Sequence, residues 1–76
     1  MTARYLNTEQ AAAFLGRSRR FVLDRTTRGA IPHRKLANTR DNLYLVEELS
    51  AWVDGAELET VWTLAGGRIV RPKRGS

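Results

Sequence analysis

The stretch from Gly16 to Pro32, Gly-Arg-Ser-Arg-Arg-Phe-Val-Leu-Asp-Arg-Thr-Thr-Arg-Gly-Ala-Ile-Pro, leaves this chain few ways to fold. Gly16 suits the left-handed backbone that ends an Ala-rich helix. Ser18 is an N-cap for a second helix, which opens on Arg19 and Arg20 and meets its stop signal at Gly29. Pro32 then disfavours helical backbone at Ile31, so the chain must leave extended. The pattern is helix, tight turn, helix with a basic tip, extended exit. A helix with paired arginines at its N-terminus, braced by a preceding helix, has the form of one that enters a DNA major groove.

The rest of the composition supports a basic partner-binding domain. The chain has 76 residues, enough for one small domain with a limited core. It contains no cysteine and one histidine, so neither a disulfide nor a zinc site built on His33 can supplement apolar packing. The net charge is +5, carried mostly by arginine. Arginine's planar fork matches phosphate and guanine acceptors, and nucleic acid is the natural partner for such a surface. No apolar run approaches the roughly 18 residues of a membrane span. Met1 to Leu6 lacks the apolar core of a signal peptide, so the expected compartment is the cytoplasm, with no membrane association.

Local signals divide the chain further. Asn7 with Gln10 three residues on makes a capping box ahead of Ala11, Ala12, Phe14 and Leu15. The second helix is predicted over Arg19 to Arg28, with Phe21 and Val22 inward and the stems of Arg25 and Thr26 beside them. His33 to Leu36 and Leu43 to Leu45 read as two strands around the turn-rich Ala37 to Asn42, a β-hairpin or wing. Val46 to Val53 returns to helix, with Leu49, Trp52 and Val53 on one buried face. Gly66-Gly67 between Val61-Trp62-Thr63-Leu64 and Arg68-Ile69-Val70 signals a further hairpin. The expected fold is mostly α with a small β-hairpin, a winged helix-turn-helix over residues 5–54. Residues 55–70 are expected to form a separate C-terminal extension, and residues 71–76 a basic disordered tail.

Several side chains are candidates for DNA contact. Ser18 and the first amides of the second helix can hold a phosphate. Arg19 and Arg20 can reach guanine O6 and N7 or phosphates, and Thr27 and Arg28 suit the backbone. Arg34, Lys35, Asn38, Thr39 and Arg40 on the wing fit a phosphate backbone or a minor groove. Helical spacing favours Asp24 pairing with Arg20 or Arg28 over accepting from a cytosine amino group. His33 is read as a surface or strand-packing residue. Trp62, with Val61 and Leu64, either packs its hairpin down or contacts a partner. One histidine, no cysteine and scattered acids do not assemble a nucleophile, base and orienter, so neither enzymatic activity nor a cofactor is expected.

Asn7-Thr8-Glu9-Gln10-Ala11-Ala12, Leu15-Gly16, Ser18-Arg19 and Gly29-Ala30-Ile31-Pro32-His33-Arg34-Lys35 resemble the excisionase-type, MerR-like winged helix-turn-helix family, and Leu49-Ser50-Ala51-Trp52 looks like its closing helix. The resemblance covers about Tyr5 to Asp54. It implies that the second helix lies in the major groove and the wing on neighbouring backbone. It also implies a role as a recombination directionality factor, a small transcription regulator or an antitoxin. Arg17, Arg25 and Thr26 stand where the family usually places aliphatic residues, and the wing tip lacks the usual glycine. On this resemblance the chain is expected to be a monomer in solution. Several copies would bind adjacent DNA sites and bend the duplex to favour an integrase. The alternatives are a transcription regulator on one operator and an antitoxin-like interaction module using the Trp62 segment.

Overall fold

The computed structural model describes residues 5–35 and 41–73. Its first elements follow from local chemistry. Asn7 Oδ1 accepts from the Gln10 amide at 2.7 Å while Gln10 Oε1 accepts from the Asn7 amide at 2.9 Å, and this closed capping box starts α1, Thr8–Leu15. Gly16 ends α1 at φ 67°, a conformation that costs a residue with a Cβ but not glycine. Ser18 Oγ then accepts from the Phe21 amide at 3.1 Å and starts α2, Arg19–Thr27. Gly29, also at φ 67°, turns the chain into the buried Ile31-Pro32 and out along β2, His33–Lys35.

β3, Asn42–Leu45, pairs antiparallel with β2 and runs without a break into α3, Val46–Val53. No side chain caps α3, but Glu47 and Glu48 place negative charge in its first turn, where the helix dipole favours it. β1, Tyr5–Leu6, pairs with β3; two residues are too few to leave a periodic signal in the sequence. β4, Leu58–Trp62, and β5, Arg68–Pro72, form the C-terminal hairpin predicted at Gly66-Gly67. Among the described residues, no helix is long and apolar enough to cross a membrane.

The C-terminal segment is not a separate piece. β5 lies antiparallel to β2, with His33, Arg34 and Lys35 opposite Val70, Ile69 and Arg68. The wing and the hairpin therefore make one sheet of order β1-β3-β2-β5-β4. The physical reason is the edge of β2, whose backbone groups would stay unpaired in a two-stranded wing. Residues 71–73, expected to begin a disordered tail, are ordered by strand pairing. Arg71 and Pro72 lie in β5, and the Lys73 amide donates to the Glu57 carbonyl at 2.8 Å. Residues 74–76 lie outside the described ones.

The core is small and sits where α1, α2, α3 and β3 meet. Ala11, Ala12, Val22, Ile31, Tyr44 and Leu49 are buried there, ringed by Leu6, Leu15, Phe21 and Trp52. The two alanines let α2 approach α1 closely. Val53, expected on the buried face of α3, is 63 % exposed. It is the last residue of its helix and borders an open groove with Phe14, Leu15, Ser50 and Asp54. Thus Leu49→Ala should cost about 2–5 kcal/mol of unfolding free energy, whereas Val53→Ser should stay within about 0.5 kcal/mol. Urea denaturation followed by far-ultraviolet circular dichroism tests both.

Candidate nucleic-acid interface

The outward face of α2 carries the sequence-predicted arginines. Arg19 and Arg20 are exposed and make no ion pair among the described residues. Both stand in the first turn, where amides lack intrahelical acceptors. Ser18, expected to help hold a phosphate, spends its oxygen on the Phe21 amide. Arg19 and Leu23 line a notch with Asn7, Thr8 and Glu9 of the α1 start and Asp41, Asn42 and Leu43 of the wing. The outward face of α2 and the wing strand β3 are thus neighbours. Asn42 has a buried Oδ1 with no hydrogen-bond partner among the described residues.

Farther along α2 the candidates are less available. The Thr27 hydroxyl donates back to the Leu23 carbonyl at 3.0 Å, leaving only acceptor capacity. Arg28 Nε lies 3.4 Å from Asp24 Oδ1, the pairing predicted from helical spacing, and Arg25 takes the other Asp24 oxygen at 3.1 Å. At this exposure such pairs are weak and can exchange for a phosphate. Sequence reasoning missed one arrangement here. The guanidinium groups of Arg17 and Arg25 stack on the Phe21 ring at 5.0 and 4.7 Å from its centroid. Only half of it left a signal: residues 21 and 25 are one turn apart on α2, whereas Arg17 precedes the Ser18 cap.

On the wing the structure separates Arg34 from Lys35. Lys35 is exposed, opposite Asn42 and Arg68 in the register. Arg34 instead turns to α3 and holds Glu48 Oε2 at 3.0 Å, with both side chains largely buried. Successive strand residues point to opposite faces, so two adjacent basic residues cannot both follow one phosphate backbone. Asn38, Thr39 and Arg40 lie outside the described residues.

At the second hairpin, Trp62 is 70 % exposed and Leu64 fully exposed, with Val61 half-buried behind them. Gly66 turns the tip at φ 89°, and the Thr63 amide donates to the Gly67 carbonyl at 3.0 Å. Trp62, Arg68, Lys35 and Asn42 stand opposite one another across four strands. This register places the tip of the second hairpin at the end of the sheet where β2 stops and β3 begins.

His33 is a strand-packing residue, fully buried against the Tyr44 ring. Its Nδ1 donates to the Ile31 carbonyl at 2.8 Å, so the neutral ring offers Nε2 as an acceptor, 2.9 Å from Arg68 Nη2. Burial is the main influence holding its pKa below 6.5, and Arg68 and Lys35 push it the same way against the Ile31 bond.

The model of one protein family, described as a helix-turn-helix domain, matches residues 5–57. The matched span runs from β1 to the residue before β4. No curated protein and no solved structure matches the chain.

The histidine generates a prediction. Its folded pKa is lowered, so the unfolded chain takes up the proton first. The stability contribution of neutral His33 should be complete above pH 6.5 and decline as pH falls from there through the folded value. Thermal unfolding between about pH 7.5 and about pH 5 should show this decline, and His33→Gln, which cannot titrate, should shrink it.

Proposed function

The chain belongs to the helix-turn-helix domain family, and from that premise we propose that it is an excisionase-type DNA-binding protein. In this reading α2 lies in a major groove with Arg19 and Arg20 toward guanine edges or phosphates. Lys35 and the loop of the wing follow the adjacent backbone. The observation that carries the proposal is the pair of exposed arginines at the capped start of α2, free of carboxylate partners among the described residues. Arginines bound internally would have to break those contacts before reaching DNA; these two do not.

Binding then acts through the shape of DNA. Copies on adjacent sites would bend the duplex, at a deformation cost of about 1–6 kcal/mol for a short site, and the bent form would favour assembly of an integrase. Phosphate contacts and contacts between neighbouring copies would offset that cost. The exposed Trp62 and Leu64 support a neighbour contact of this kind. They equally motivate a second reading, in which the domain is an antitoxin-like module and this hairpin tip engages a protein. A transcription regulator would use the same α2 surface at one operator.

A salt-dependent titration on DNA from the protein's own locus and on unrelated DNA separates these readings. Arg19→Ala/Arg20→Ala should lower affinity for the native locus at least about tenfold and abolish its preference over unrelated DNA. The salt slope should fall by about one for each phosphate contact removed. Stepwise shifts from several bound copies, lost in Trp62→Ala while single-site affinity persists, are expected of the excisionase-type reading. A single shift points to an operator-binding regulator. Weak binding, equal on both DNAs and indifferent to the arginines, would sink the DNA reading and leave a Trp62-dependent protein partner.

A further inference from the structure

Arg68 lies on β5, beyond the part of the chain matched by the family, yet it reaches the end of α2. One nitrogen, Nη2, donates to the Thr26 carbonyl at 3.2 Å and to His33 Nε2 at 2.9 Å. Thr26 occupies the last turn of α2, where its carbonyl also accepts from the Gly29 amide at 3.0 Å and a cation is favoured by the helix dipole. The same residue is also held through its side chain, whose Oγ1 lies 2.7 Å from the Tyr44 hydroxyl of β3. The end of α2 is therefore fixed to the sheet at two points, one on the wing and one on the C-terminal hairpin.

We infer that Arg68 is a positioning residue for DNA recognition, setting the angle of α2 to the wing, and that the β4–β5 hairpin is part of the DNA-binding unit. The inference rests on α2 being the reading helix. Its geometry is specific. The guanidinium meets a helix carbonyl and an imidazole acceptor in one place, 42 residues along the chain from Thr26. Its Nε is also buried and has no partner among the described residues, so the side chain is enclosed rather than held out toward a ligand.

The imidazole must stay neutral for this contact. A second proton on His33 would turn Nε2 into a donor facing a donor. The groups facing His33 are Arg68 from β5, Lys35 from its own strand, the Tyr44 ring from β3 and the carbonyl of Ile31. Both charges among them are positive and oppose that proton. DNA affinity should therefore fall when His33 is protonated, because α2 loses one of its two anchors.

The test combines affinity, salt slope, pH profile and hydrogen exchange on the full chain, using DNA from the protein's own locus. Arg68→Ala should bind about tenfold more weakly with an unchanged salt slope, because no phosphate contact is removed. Arg68→Lys keeps the charge but not the fork, so it should not restore wild-type affinity. His33→Gln keeps an acceptor for Arg68 and should bind with an affinity that no longer falls on acidification from pH 6.5 downward. Amides of Arg28, Gly29 and Ala30, which donate to carbonyls of the last turn of α2, should exchange faster in Arg68→Ala, independently of DNA. If Arg68→Ala does not fold, Arg68→Lys and His33→Gln carry the test.

Arg19→Ala/Arg20→Ala serves as the control for the underlying reading. If it leaves binding untouched, α2 is not the reader. If it abolishes binding while Arg68→Ala or Arg68→Lys binds like wild type, the reading stands and the positioning role is overturned. A salt slope smaller by about one in Arg68→Ala, with full rescue by lysine, would make Arg68 a phosphate ligand and overturn it as well.

Discussion

The placement of α2 depends on a buried hydrogen bond between two hydroxyls. α2 has little apolar surface of its own to dock with; its fully buried side chains are Val22 and Thr26. Thr26 Oγ1 bonds both the Val22 carbonyl and the Tyr44 hydroxyl, each at 2.7 Å. Tyr44 is itself completely buried in the centre of the core. A buried hydroxyl without a partner costs about 1–3 kcal/mol, so each of these groups fixes the other. An aliphatic residue at position 26 would pack against Tyr44 in more than one arrangement. A hydroxyl pair at bonding distance accepts one, which fixes the angle of α2 against β3.

The net charge of +5 conceals a division of labour among the basic residues. Arg34 and Arg71 hold Glu48 and Glu59, tying β2 to α3 and β5 to β4. Arg28 and Arg25 share Asp24, while Arg17 and Arg25 flank Phe21. Arg68 is turned inward. What remains without a carboxylate or aromatic partner among the described residues is Arg19 and Arg20 at the start of α2 and Lys35 at the end of β2. Glu9 and Asp41 border the same notch as Arg19. Acids there disfavour a phosphate inside the notch.

What was legible in the sequence was local. Both capping motifs, the glycine stops, all three helices and the Gly66-Gly67 hairpin are written in residues at most four apart, and they form as read. What was not legible depends on register and on direction. Nothing in Arg68-Ile69-Val70 says which strand it will lie beside, so the hairpin read as an appendage. Nothing in Arg34-Lys35 says which of the two will face the solvent, because that follows from the pairing of β2 with β3 and β5. The candidate DNA surface was therefore half legible: the helix tip follows from caps and charge, whereas the wing's contribution follows from tertiary pairing.

The same reasoning explains why the C-terminal hairpin carries two different surfaces. Its inner strand, β5, closes the edge of β2, buries Val70 and sends Arg68 to α2. Its outer strand, β4, is an edge strand among the described residues, and at the tip Trp62 and Leu64 are exposed. Cross-strand charge pairs, Glu59 with Arg71 and Glu57 with Lys73, sit toward the opposite end of the ribbon from Trp62. Charges on an exposed edge discourage pairing with other strands, so the charged end of β4 is protected and the apolar end is not. That apolar end lies beside the strand residue that reaches α2. Trp62 stands opposite Arg68 in the β4–β5 register, and Arg68 bonds the last turn of α2.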